Sequence, residues 1–177
     1  MRRNFVIILL TVIITSVAFS QEKKVNEEGY IVRVGDKAPD FKISEAGGNT
    51  YRLSDLRGKV VMLQFTASWC SVCRTEMPFI EKDIWKAKKA EGLVVIGIDR
   101  DEPIEKVLAF KNDIAVTYPL ALDPGANIFG LFARKEAGVT RNVIIDRSGK
   151  IIFLTRLYKQ EEFEQMKKII FAELEKK

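Results

Sequence analysis

No histidine occurs in the 177 residues, and cysteine occurs only twice. The missing imidazole excludes Ser-His and Cys-His catalytic pairs and the usual His-rich zinc sites. Two cysteines cannot build a disulfide-dense scaffold. Neither sign of charge dominates: 29 Lys+Arg stand against 24 Asp+Glu, a formal net charge of +5. Basic residues mostly alternate with acidic ones and no Lys/Arg run is interleaved with aromatics, so the pattern is that of solvated helix faces and not of a nucleic-acid surface. What is present is ordinary for a folded domain. Apolar residues make up 47% and charged residues 30%, which excludes disorder and low complexity. The length fits one domain that buries roughly two-thirds of its unfolded surface. There is no internal repeat and no interdomain linker.

The first twenty residues read as a separate object. Arg2 and Arg3 form a basic start, Phe5 to Ile14 is apolar apart from Thr11, and Ala18-Phe19-Ser20 places small residues at −3 and −1 of a cut before Gln21. This is the pattern of a cleavable secretory signal. An uncleaved membrane anchor is the rival, but Phe5–Phe19 falls short of the ~20 residues a spanning helix needs. No cysteine follows the cut, so a lipid anchor made through one is not expected. The organisation expected is a signal over 1–20, a polar tether over 21–34 and one folded domain over 35–177, exported from the cytoplasm and membrane-bound only if the signal stays uncut.

Along the domain, Phe41–Ser44 and Thr50–Leu53 flank Gly47-Gly48-Asn49, a hairpin signal. Val60–Phe65 and Leu93–Ile98 are nearly continuous apolar runs, as in strands buried on both faces of a parallel sheet. A helical pattern from about Cys70 to Ala90 joins them into one βαβ unit. A helix start at Asp101-Glu102-Pro103 leads to Ile104, Val107, Leu108 and Lys111 at helical spacing. A strand over Tyr118–Leu122 and a short helix around Ala126–Phe132 follow. Val143–Asp146 and Ile151–Leu157 then form a second hairpin. Phe163, Met166, Ile170 and Leu174 make the apolar stripe of a last helix.

Both cysteines lie in Trp69-Cys70-Ser71-Val72-Cys73-Arg74, where the strand Val60–Phe65 gives way to a helix. Free N–H groups and the helix dipole stabilise a thiolate there. Cys70, at or near the cap and exposed, is the expected nucleophile. Cys73, one turn in, can attack a mixed disulfide formed on Cys70. Three other uses compete. A structural staple gains little from so short a loop, a metal site would have to be shared between two chains, and an inert pair would be coincidence. Dithiol–disulfide chemistry is the use these residues favour.

Cys73, Glu76, Ile80, Ile84 and Ala87 share one helical face, which predicts that Glu76 points inward beneath the cysteines. A nearby carboxylate opposes thiolate formation, whereas a protonated carboxyl can donate a hydrogen bond. Pro78, inside the helix, should kink it.

The segments Gly35-x-x-Ala38-Pro39-x-Phe41, Leu53-Ser-Asp-Leu-Arg-Gly-Lys59 and Phe65-Thr-Ala-Ser-Trp-Cys-Ser-Val-Cys-Arg-Thr-Glu-Met-Pro78 resemble the TlpA-like thiol–disulfide oxidoreductases of the thioredoxin-like superfamily, of AhpC/TSA–redoxin type. The resemblance runs from Gly35 to the last helix. It implies an α/β thioredoxin fold, a central mixed sheet flanked by helices, with an N-terminal β-hairpin extension and a central insert. It also implies a redox-active Cys70–Cys73 disulfide as the only redox group, with no organic cofactor and no metal. Glu76 would tune the thiols. Trp69, Val139 and Thr140 would contact the extended chain of a protein thiol or disulfide substrate, and an extracytoplasmic donor or acceptor would supply or take the electrons. Two departures stand out. Gln64 occupies the place of the buried Asp of classical thioredoxins. Thr140 occupies the place of the cis-proline facing the cysteines, where a trans bond is expected because cis X–Thr costs about 2.5–4 kcal/mol.

Two other functions remain open at this point. One is a peroxiredoxin-like thiol peroxidase using Thr66 and Arg141; here Thr66 sits one residue too far from Cys70 for the motif and Met62 stands where its proline would be. The other is a non-catalytic thioredoxin-fold binding module.

Overall fold

Every residue of Val60–Thr66 is buried, so this strand has a covered layer on both faces. It is β3, the centre of the sheet in the computed structural model, which describes residues 28–176. The signal over 1–20 and most of the tether lie outside the described residues. β4 (Leu93–Arg100) and β5 (Leu120–Asp123) run parallel to β3 on one side. β6 (Arg141–Ile145) and β7 (Ile151–Arg156) complete the order β5-β4-β3-β6-β7, both in antiparallel pairing. β1 (Lys42–Ser44) and β2 (Thr50–Arg52) form the separate expected hairpin.

One face of the sheet carries α1 (Ser71–Phe79) between α3 (Ile104–Ile114) and α5 (Gln160–Glu175). Arg74 lies over the Phe110 ring at 5.0 Å on one side of α1, and Phe79 meets Phe163 at 6.3 Å on the other. The stripe Phe163, Met166, Ile170 and Leu174 of α5 is buried as expected. In α3 the buried residues are Val107 and Phe110, while Ile104 and Leu108 stay largely outside. The other face is covered by α4 (Phe129–Phe132) and the N-terminal segment, with Phe65 edge-on to Phe129 at 5.4 Å.

Three local expectations need correction. The tether does not extend to residue 34: Tyr30 and Val32 are buried, Tyr30 bridges to Ala133, and its hydroxyl donates to the Thr155 carbonyl at 2.7 Å. An aromatic ring and a valine in a polar stretch had a core to join. Secondly, the helix after Cys70 does not keep one register. Past Pro78, which cannot return a hydrogen bond to Arg74, it continues as a π-helical stretch, Ile80–Trp85, and a short α2 (Lys86–Lys88). The wider turn keeps Ile80 and Ile84 inside and leaves Ala87 exposed. Each isoleucine gains about 1.5–3 kcal/mol by burial, and alanine has little to gain. Thirdly, Arg141, named with Thr66 for the peroxidase reading, does not face the cysteines. It is fully buried on the α4 face, its guanidinium 4.5 Å from the Tyr30 ring centre and bonded to the carbonyls of Gly138 and Glu28.

Candidate active site

β3 ends at Thr66, and the chain turns through Ala67–Trp69 into α1 with Cys70 as N-cap. The Cys70 N–H donates to the Ala67 carbonyl at 3.1 Å, which closes the turn. Cys70 and Cys73 form a disulfide, their Cα atoms 5.3 Å apart. The Cys73 N–H donates to Cys70 Sγ at 3.1 Å. This is one of the free donors of a helix start, and it favours negative charge on that sulfur once the disulfide is reduced. Cys70 keeps 7% exposure and Cys73 none. The nucleophile expected to be exposed therefore offers only a narrow edge to a partner. Trp69 stands beside it at 64% exposure, a large apolar ring in solvent.

Two charged side chains clamp the turn, and the sequence reading assigned neither to it. Arg74 Nε donates to the Ser68 carbonyl at 2.9 Å, and its guanidinium pairs with Asp113 on α3. From the other side, Glu102 accepts from the N–H and the hydroxyl of Ser68. In the sequence Glu102 belongs to a helix start, and nothing local links it to a residue 34 positions earlier.

Thr140, just before β6, faces the disulfide. Its Oγ1 lies 3.2 Å from Cys70 Sγ and 3.5 Å from Cys73 Sγ. Among the described residues no peptide bond is cis, as expected for a threonine here. Side chains alternate along β6, so Thr140 and Asn142 face α1 and Arg141 faces away. Val139 is buried, which differs from a side chain free to touch a substrate. What it has to offer is backbone: among the described residues its N–H and C=O make no hydrogen bond.

Below the cysteines lies a buried polar layer. Register places Gln64 of β3 beside Asn142 of β6, and Asn142 beside Thr155 of β7. Glu76 of α1 sits on this row at 2% exposure, its Oε1 accepting from Asn142 Nδ2 at 2.7 Å. Glu76 therefore points inward, as its stripe predicted. Tyr118 donates to Gln64 Oε1 at 2.7 Å, its ring passing Gly97, where an added Cβ would stand 3.5 Å from Tyr118 Cε2 and collide with the Leu120 side chain. Burial pushes the Glu76 carboxyl up to about 7, opposed by the Asn142 bond and the nearby Gln64 amide, with the Glu162 charge adding to the rise. Among the described residues, Gln64 Nε2, Glu76 Oε2 and Asn142 Oδ1 are buried and have no well-aligned hydrogen-bond partner. Each such atom costs about 1–3 kcal/mol. Three of them around one titrating carboxyl leave donors and acceptors free for a proton to come and go.

Asp99 is a second buried carboxyl that the sequence reading missed. It is fully buried on β4 beside Thr66 of β3, its carboxyl set against that of Glu102. Burial, then the Glu102 and Asp123 carboxylates, push it up to about 8. Between about pH 4 and 8 the folded chain thus holds a proton here that the unfolded chain releases, so stability falls as pH rises through that window. Asp99→Asn cannot ionise. It should raise the midpoint of thermal unfolding at pH 7–8 and flatten its decline with pH, as read by calorimetry across pH 4–9. A slope equal to that of the parent protein would show that Asp99 does not carry this dependence.

Among the described residues, no group of three or more His, Cys, Asp or Glu is placed to hold a metal ion, and no helix is long and apolar enough to cross a membrane. The AhpC/TSA family matches residues 34–154. The thiol-disulfide oxidoreductase ResA of Bacillus thuringiensis (strain Al Hakam) is 29% identical over 155 residues, covering 86% of this chain and 88% of that one. A solution structure of a candidate protein disulfide isomerase from Bacteroides thetaiotaomicron is 62% identical with a TM-score of 0.81, covering 84% of this chain and 94% of that one. A crystal structure of a candidate thiol:disulfide interchange protein DsbE from Chlorobium tepidum is 30% identical with a TM-score of 0.72, covering 81% and 99%. The chain carries its Cys70–Cys73 disulfide at the head of α1, and it belongs to the AhpC/TSA family as a thioredoxin-fold thiol–disulfide oxidoreductase.

Proposed function

We propose that the protein exchanges disulfides with protein substrates outside the cytoplasm, with Cys70 as nucleophile, Cys73 as resolving thiol and Glu76 as the proton-handling group. One observation carries the reading: the Cys70–Cys73 disulfide caps α1 with only the Cys70 side reaching solvent. Trp69 supplies an apolar contact beside the sulfur. The Val139 backbone, which makes no hydrogen bond among the described residues, can accept an extended chain by strand addition. The redox-active disulfide is the only redox group the reaction needs, and a separate extracytoplasmic thiol or disulfide exchanges electrons with it. Export rests on the basic start, apolar run and small-residue cut site of residues 1–20.

The peroxidase reading loses both of its candidate residues. Thr66 donates its hydroxyl to Met77 Sδ at 3.4 Å, and Arg141 lies on the opposite face of the sheet from the sulfurs. Reduction of insulin disulfides by the reduced protein, measured beside consumption of hydrogen peroxide with the same electron donor, tests the choice. Insulin reduction without peroxide turnover is expected. Peroxide turnover alone would establish the peroxidase, and neither activity would leave a binding module.

A further inference from the structure

Among the described residues, the hydroxyl of Thr140 is the one side-chain donor that reaches the sulfurs. It is buried at 3% exposure, and among the described residues its hydrogen-bond contacts are the two sulfurs, 3.2 Å to Cys70 and 3.5 Å to Cys73. The residue is held on both sides. Its carbonyl accepts from the Leu157 N–H at 3.2 Å, the next side chain is locked among Tyr30, Gly138 and Glu28, and the one after that is bonded to Glu76. A proline in this place would offer no donor. We propose that Thr140 is a catalytic residue: its hydroxyl donates a hydrogen bond to the Cys70 thiolate of the reduced protein, opposite the bond from the Cys73 N–H.

This deepens the reading of Cys70 as nucleophile and rests on it. In the exchange, the Cys70 thiolate attacks one sulfur of a substrate disulfide. A Cys70–substrate bond forms, the substrate S–S bond breaks, and a substrate thiolate leaves. The Cys73 thiolate then attacks Cys70 Sγ, the internal disulfide closes, and the second substrate thiolate departs. Two electrons pass to the substrate. Run in reverse, an incoming thiolate attacks Cys70 and Cys73 leaves as a thiolate, 3.5 Å from the same hydroxyl. A hydrogen bond to an ionised sulfur is among the stronger kinds, so the hydroxyl stabilises the reduced, ionised form over the disulfide.

The charged groups around the pair are Glu76 and Arg74 on α1, Asp99 on β4 with Glu102 after it, Glu162 at the start of α5, and Arg141 on the far face of β6. All stay in place in Thr140 variants. Thr140→Val keeps the shape and removes the donor; Thr140→Ser restores it. In the reduced full-length protein, the pH profile of Cys70 alkylation should move up by about one unit in Thr140→Val. The equilibrium with dithiothreitol should move about tenfold toward the disulfide, and Thr140→Ser should behave like the parent. If Thr140→Val fails to fold, Thr140→Ser against Thr140→Ala gives the same comparison. Profiles and equilibria unchanged on loss of the hydroxyl would overturn the proposal while leaving Cys70 as nucleophile. Peptide mapping that finds the label on Cys73 would instead overturn the Cys70 assignment and the proposal with it.

Discussion

Cys73→Ser should convert the enzyme into a trap. With the resolving thiol gone, Cys70 still attacks a substrate disulfide, but the mixed disulfide has no internal sulfur to release it. Adducts that disappear on reduction should accumulate on non-reducing gels, while turnover with insulin falls by about a thousandfold or more, as expected when a nucleophilic couple is broken. Cys70→Ser should lose turnover to the same extent and accumulate no adduct, because Cys73 has no exposed surface from which to meet a partner. The asymmetry arises from position. Cys70 is the cap, with the Cys73 N–H 3.1 Å from its sulfur, and Cys73 lies a turn deeper against the Phe65 carbonyl. Stable adducts on the Cys70→Ser protein would reverse the two roles.

Glu76→Gln should let Cys70 ionise at lower pH. Glu76 follows Cys73 by three residues on one helical face, so the side chains are neighbours about 5–6 Å apart at Cβ. Cys70 lies further back, about 9 Å from Glu76 along the helix axis, and at an effective dielectric constant near 20 a negative charge at that range opposes its thiolate by roughly one pH unit. The carboxyl itself is pushed up to about 7, so it ionises in the range where the thiol titrates and the two behave as a coupled set. Glutamine keeps the acceptor that Asn142 uses but carries no charge. The alkylation profile should shift down by about one unit and lose its second inflection near neutrality, with the fold intact. Stability should also respond. The folded chain retains a proton on Glu76 up to about pH 7 that the unfolded chain releases above about 4.5, so the parent loses stability as pH rises through that window and Glu76→Gln, which keeps only the Asp99 contribution, loses less. A profile identical to the parent's would assign proton handling to another group.

Much of the site was legible locally. The cap position of Cys70, the deeper place of Cys73 and the inward aim of Glu76 all follow from short-range spacing on one helix, whose geometry repeats every few residues. The same logic failed where register changed. Ala87 continued the stripe on paper and is exposed, because the π turn after Pro78 altered the angle per residue. It failed again for Arg141, named for the peroxidase reading, whose guanidinium turns from the cysteines to aromatic rings and a carbonyl brought from Tyr30, Phe129 and Glu28.

The amino-acid sequence by itself determined the chemistry: two thiols at a helix start, no histidine to compete, and a carboxyl one turn below them. It also determined the strand and helix order, because apolar periodicity is a local property of the chain. Only the tertiary structure decided what surrounds the sulfurs. Sheet register set Gln64 beside Asn142 and Asn142 beside Thr155, which built the buried layer beneath Glu76; burial lifts its carboxyl, and the Asn142 and Gln64 amides hold back part of that rise. The β4–α3 turn brought Glu102 to Ser68, and β6 brought Thr140 to Cys70 across 70 residues of chain. Burial and hydrogen bonding at these positions depend on neighbours far away in sequence, and it is burial and hydrogen bonding that shift the pKa values on which thiol exchange runs.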